Sequence, residues 1–269
     1  MKLVISIAAI VSTLAAVPVP ASAVPTDVRP SSSIPRATVK ASAMDVTEGD
    51  RLSLRVRVPQ STRARRVILQ ERRINIFGDP DWEDLAAKAA RARTRFRTTV
   101  TAINTGTLRV AVTYAGRSTP VVSRPIRVRV WRWIPLREFT PYFESPLASY
   151  GEADMNGDRY AVWGSYAGTA IRAWEARLTL GRKCTKFRAV LGLADTSDAG
   201  SSGVISFTVE EAATIYQSPP LTPGMTVPVL LDLPKPYRFG MAASNTSPDK
   251  VNGYPMVGDG AFLCTGISG

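Results

Sequence analysis

The chain has 269 residues, no histidine, two cysteines and a net charge of +12 from 34 Lys+Arg against 22 Asp+Glu. Without histidine neither a Ser-His-Asp nor a Cys-His constellation can be assembled, and the commonest metal ligand is missing. The charge is uneven: residues 24–138 carry 23 basic against 10 acidic side chains and residues 139–269 carry 10 against 12, so a basic first half precedes a near-neutral second half.

Met1-Lys2 leads into an apolar run from Leu3 to Val17, followed by Ala21-Ser22-Ala23. That pattern predicts a secretory signal peptide over residues 1–23, cut after Ala23. The run is shorter than the roughly 20 residues a membrane-spanning helix needs, and Pro18 and Pro20 break its end. The expectation is a secreted, extracellular chain that can associate with the cell surface, with no transmembrane segment in its mature part. Export also places Cys184 and Cys264 in an oxidising setting, where one bridge between them is the simplest outcome.

Residues 24–37, VPTDVRPSSSIPRA, are too rich in Pro and Ser to build a core and read as a linker. Strand patterning then begins. Leu52, Leu54, Val56 and Val58 alternate with Ser53, Arg55 and Arg57, which puts an apolar row inward and a basic row outward. Val67 to Ile74 continues the alternation, and Gly78-Asp79-Pro80-Asp81 makes a turn before Trp82. The alanine-rich stretch 84–93 has helical propensity but no helical stripe of apolar residues, and strand and loop are expected there. Arg95 to Ile103, Leu108 to Tyr114, and Ile126, Val128 and Val130 give further strands separated by Gly turns. An antiparallel sandwich of about seven strands fits this spacing.

Val67-Ile68-Leu69-Gln70, Trp82, Thr107-Leu108-Arg109-Val110 and Ser123 to Val130 resemble bacterial immunoglobulin-like or fibronectin-like spacer domains of secreted actinobacterial proteins. The resemblance implies a spacer over residues 38–133. Trp131 and Trp133 fall on one strand face, either as an exposed platform or packed at a junction, and prolines 135, 141 and 146 suggest an interdomain linker over 134–148.

Residues 149–269 read as short strands with Gly- and Asn-rich loops: Arg172 to Leu180, Phe187 to Leu193, Gly203 to Val209, Thr226 to Leu233, Tyr237 to Ala243 and a last one through Ala261 to Cys264. The fold class expected for the whole chain is all-β, an Ig-like sandwich followed by a jelly-roll sandwich. Three segments, Leu180 to Phe187, Val190 to Ser197 and Val204 to Val209, followed by Ile215 to Ser218 and Gly253 to Leu263, resemble the NPCBM family of carbohydrate-binding modules of the galactose-binding-like class. The chain lacks the His, and the Trp near the closing Gly-Asp, that members often carry.

The resemblance implies a non-catalytic glycan binder with a polysaccharide or cell-wall glycan as partner. A sugar site needs an aromatic face for the C–H side of a pyranose and polar groups for its hydroxyls. Tyr160, Trp163, Tyr166, Asn252, Tyr254 and Asp259 are the candidates, while Trp174 is expected in the core. No cofactor is expected, although Asp195, Ser197 and Asp198 form an acidic turn of the kind that can ligate calcium. Glu152, Asp154, Asp158, Asp195 and Asp259 allow many carboxylate pairs for glycoside hydrolysis and favour none. A second expectation is an envelope-associated adhesion or structural protein, whose basic first half attaches to anionic polymers or to a protein partner; nucleic acid is not expected for an exported chain.

Overall fold

The computed structural model describes residues 34–101 and 105–267. The signal-peptide segment and all but the last four residues of the Pro/Ser-rich linker lie outside the described residues. In the basic half the strands are β1 (Thr38–Ala41), β2 (Asp45–Thr47), β3 (Arg51–Arg57), β4 (Ala64–Ile74), β5 (Pro80–Ala89), β6 (Arg93–Thr99), β7 (Thr107–Tyr114), β8 (Val121–Val122), β9 (Ile126–Arg127) and β10 (Arg129–Pro135). After one 3₁₀ turn, Leu136–Glu138, come β11 (Pro141–Glu144), β12 (Ser149–Met155), β13 (Asp158–Gly164), β14 (Ala173–Thr179), β15 (Cys184–Leu193), β16 (Gly203–Val209), β17 (Ala213–Gln217), β18 (Thr226–Asp232), β19 (Arg238–Asn245) and β20 (Pro255–Cys264). The chain is all-β, and among the described residues no helix is long and apolar enough to cross a membrane.

The first half sets a three-stranded sheet, β1-β3-β6, beside a sheet in the order β5-β4-β7-β8, with β9 also on β7. Strand alternation decides which residues meet between them. Leu52, Leu54 and Val56 of β3 and Phe96 of β6 are buried, as are Val67 and Leu69 of β4 and Val110 and Val112 of β7, while the intervening arginines face water. Tyr114, at the end of β7, is buried, and its phenol donates to the Pro59 carbonyl at 3.0 Å, tying a loop 55 residues away to the sheet. Removing that hydroxyl by Tyr114→Phe leaves the carbonyl without its donor and should cost about 1 kcal/mol in a urea melt. A loss under a few tenths would mean that water replaces the bond without penalty.

The second half is a two-sheet sandwich. One sheet runs β11-β14-β19-β16-β17. In the other, β20 is the spine: β15 lies along one side of it, while β13 and then β10 share the other. Nine of the ten residues of β20 are out of full solvent exposure, as a strand with neighbours on both edges and a sheet on its face must be. Phe187 of β15 meets Phe207 and Phe239 of the opposite sheet at centroid distances of 4.9 and 5.0 Å, and Phe262 of β20 meets Phe239 at 5.0 Å. These rings, with Trp174, Leu178, Ile205, Met241 and Leu191, are the core between the two sheets. Cys184 and Cys264 sit directly opposite each other on β15 and β20 and form a disulfide, as expected.

Segment 134–148, expected as a linker, is woven into this sandwich. Ile134, Leu136, Phe139 and Ala148 are buried in the main core, and β11 pairs with β14 at the sheet edge. Proline suits edge positions as well as linkers, and Pro141 is the first residue of an edge strand, where its missing N–H costs no ladder bond. Trp131 and Trp133 form no open platform: both are half-buried, with Lys235 over one ring at 6.0 Å and Arg188 over the other at 4.5 Å.

Candidate functional site

Beside the main core lies a second, smaller one on the far face of the β20 sheet. The β12–β13 hairpin turns on Asn156-Gly157, both at positive φ (52° and 81°), the conformation that favours Asn-Gly in two-residue hairpins. The hairpin packs on β20 and β15 where two glycines make room for it. A Cβ on Gly258 would lie 2.6 Å from Met155 Cε, and one on Gly192 3.1 Å from Met155 Sδ. Met155, Met256, Ala153, Val162 and Ala194 fill this small core, and Tyr160 and Tyr254 pack half-buried against it.

Tyr254 is held from its backbone. Its N–H donates to Ser197 Oγ at 3.1 Å and its carbonyl accepts from the Ala194 N–H at 3.0 Å. Tyr166, from the loop after β13, lies with its ring centroid 5.3 Å from that of Tyr254 at an interplanar angle of 55°, and it is 52% exposed. Partial burial pushes the Tyr166 phenol above its ordinary pKa, with Arg159 opposing the shift and Asp154 adding to it. The phenol is therefore neutral, and a hydrogen-bond donor, throughout the neutral and mildly alkaline range. Arg159 itself reaches across the hairpin to Glu152 at 2.8 Å and Asp154 at 3.2 Å.

The residues singled out from the sequence thus divide. Tyr160, Tyr166 and Tyr254 come together around the small core, two of them touching. Trp163 does not belong with them. Its register partner on β20 is Val257 of the main core, and it is buried at 4% exposure with Tyr150 at 6.1 Å against its ring and, among the described residues, no hydrogen-bond partner for its indole N–H. Trp163 cannot stack on a sugar from there. Trp174 is in the core, as expected, its N–H donating to the Pro255 carbonyl at 2.9 Å.

Asn252 is a brace. Its amide N–H₂ and backbone N–H both donate to Asp198 Oδ2, at 3.0 and 2.7 Å, and its Oδ1 accepts from Thr169 N–H at 3.0 Å, so three loops are tied through one side chain. Gly168 has to be glycine for this contact, since it sits at φ +55° and a Cβ there would lie 2.2 Å from Asn252 Oδ1. Asp259 stands at positive φ where β15 and β20 slip register, and its carboxylate accepts from the Ala161 N–H at 3.1 Å.

The expected calcium ligands are engaged in other bonds. Asp195 accepts from the Asn156 and Gly157 N–H groups at 2.7 and 2.8 Å, capping the hairpin turn, and Asp198 holds Asn252. Their carboxylates accept from backbone and amide N–H donors, and among the described residues no group of three or more His, Cys, Asp or Glu gathers around one point. Of the carboxylates considered for glycoside hydrolysis, Glu152, Asp154, Asp195 and Asp259 all carry protein donors.

Sequence reasoning missed Arg159 as the partner of Glu152 and Asp154. The signal was there: Asn156-Gly157 is a strong hairpin turn, and it places Asp154 directly opposite Arg159.

No family model and no curated protein matches this chain. Among solved structures it resembles the M60 catalytic domain with the CBM51-1 and CBM51-2 domains of Clostridium perfringens ZmpB, at 12% identity and a TM-score of 0.41 over 86% of this chain and 31% of that one. It also resembles CBM51 from Clostridium perfringens GH95 in complex with methyl-galactose, at 16% identity and a TM-score of 0.39 over 49% of this chain and 99% of that one. A third is the tandem CBM51 modules of a family 98 glycoside hydrolase from Streptococcus pneumoniae, at 9% identity and a TM-score of 0.40 over 86% of this chain and 82% of that one. The chain thus spans under a third of the Clostridium perfringens ZmpB structure.

Proposed function

We propose that this chain is an exported, non-catalytic glycan-binding protein, with its binding face at Tyr166, Tyr254 and Tyr160 of an NPCBM-like second half and an Ig-like spacer in its first half. The observation that carries the reading is the Tyr166–Tyr254 pair, in which an exposed ring lies against a half-buried one that packs on the small core. Two tilted rings present carbon-rich faces to a pyranose, and their phenols, with the nearby Arg159 and Asp154, offer donors and acceptors for its hydroxyls. This half is near neutral, so affinity for an uncharged sugar comes from stacking and hydrogen bonds, with little from charge steering.

A glycan-array screen of the full chain tests the reading. Tyr166→Ala should weaken binding to whichever glycan is found by about three- to tenfold, the worth of one aromatic contact, and Tyr166→Phe should retain most of it. Failure of the folded chain to bind any glycan, with a cooperative melt confirming the fold, would remove the proposal. Export is tested separately by sequencing the N-terminus of the protein recovered from culture medium. A mature chain beginning at Val24 is expected, and a chain retained in the cell with Met1 intact would refute it.

A further inference from the structure

The outer face of the β1-β3-β6 sheet is a ladder of cations. Its register places Arg57 directly opposite Arg93, Arg55 opposite Arg95, and Arg97 opposite Ser53, with Lys40 beside Arg55 on the other edge and Arg51 one step beyond Ser53. All six arginines and the lysine are exposed, since β3 and β6 send their alternate residues into the core. No Asp or Glu occurs in any of the three strands, and none of the seven cations is in an ion pair among the described residues. An open groove runs across this face between Thr38, Lys40, Arg55, Arg57, Arg93 and Arg95.

Like charges directly opposite on neighbouring strands destabilise a sheet. A solvated face needs charge, but it does not need two arginine pairs in register with no acid among them. Other arginines of the chain do have partners: Arg73 lies on Glu71 and Glu83, Arg129 on Asp45 and Arg159 on two acids. Among the described strand pairs, two cations stand directly opposite each other only in this sheet.

We propose that this face binds a linear phosphodiester polymer with a short polyol repeat. Successive rungs on one strand are two residues apart, about 6.7 Å along the strand, and the two guanidinium groups of a rung stand on strands about 4.8 Å apart. A planar carboxylate is satisfied by one guanidinium fork, whereas the tetrahedral oxygens of a phosphodiester accept from two forks that approach from different sides. Each of the two arginine rungs therefore takes one phosphate, and Arg97 with Arg51, diagonal to it in the register, takes a third. The face carries no aromatic side chain on which the bases of single-stranded nucleic acid could stack and no apolar side chain to enter a bilayer. The inference is independent of the tyrosine face, and Tyr166→Ala should leave it untouched.

The test uses the full chain and lipid-free poly(glycerol phosphate), with poly-L-glutamate and oligo(dT) of matched charge as comparators. Binding is expected at low salt, with log K falling against log salt at a slope of about −2, as for three phosphates on a single strand. Arg55→Gln with Arg95→Gln removes one rung and should bring the slope to about −1.4, with affinity down about tenfold. Arg182→Gln with Lys250→Gln, the same charge change on exposed residues of the other half, should change neither. The rung variant should also melt slightly higher than the unaltered chain in polymer-free, low-salt buffer, because a repulsion has been removed, while polymer should raise the Tm of the unaltered chain. The proposal is overturned by an unaltered chain that neither binds the polymer nor gains Tm from it. Equal or tighter binding of poly-L-glutamate or oligo(dT), or an equal loss in the Arg182/Lys250 pair, would likewise sink it.

Discussion

Replacing Phe187 by alanine should lower the stability of the chain by about 4 kcal/mol, the cost of deleting a buried ring whose surroundings cannot collapse onto the gap. Phe187 has no exposed surface and meets three other rings, Phe207, Phe239 and Phe262, at 4.9, 5.0 and 4.8 Å. Those rings come from three strands on both sheets, each held in register by its own ladder, so none can move into the void without losing backbone bonds. The void also removes one edge-to-face and two tilted ring contacts that add to the transfer term. A urea titration reads the change as a lower midpoint at unchanged slope. A loss under 1 kcal/mol would mean that the two sheets close around the gap, and that the ring cluster does not set their spacing.

Loss of the disulfide should be of similar size. Cys184 and Cys264 close a loop with a sequence separation of 80, for which chain entropy alone gives about 4.5 kcal/mol at room temperature. The paired variant Cys184→Ala with Cys264→Ala should therefore melt far below the unaltered chain, and reduction should reproduce the effect. Both cysteines are buried on neighbouring strands, so the alanine pair leaves a small void whose cost adds to the entropic one. A variant that melts within a few degrees of the original would show that β10, β13 and β15 suffice to fix β20 in place.

The sequence announced its strands better than its connections. Gly203 to Val209 has the bounds that the sequence predicts, because Ile205, Phe207 and Val209 recur at every second position and glycine marks its start. The disulfide followed from two cysteines and the expectation of export. By contrast β11, β12 and β13 carry no such signal. Pro141-Tyr142-Phe143-Glu144 has no clean alternation, being an edge strand with both faces partly open, and Ser149 to Met155 mixes acids with small residues because it packs over the outer face instead of into the main core. The site was legible by composition only. Tyrosines in the loops were visible, but whether a given aromatic faces out or in depends on register. Trp163 and Tyr160 lie three residues apart on one strand and point to opposite faces, so one enters the main core while the other packs against the small one. Asn252, Asp195 and Asp198 looked like ligand groups because polar loop residues serve bracing and binding with the same atoms.

One strand makes the two halves of the chain a single object. Residues 129–131 of β10 pair in parallel with β2 of the basic half, and residues 132–135 pair antiparallel with β20 of the other, with no break in the strand between. Excision anywhere near residue 138 would strip β20 of a neighbour along its last residues, remove Leu136 from the main core, and leave an open ladder edge next to the disulfide. A fragment cut there inherits a sticky edge, so the halves are poor candidates for independent expression.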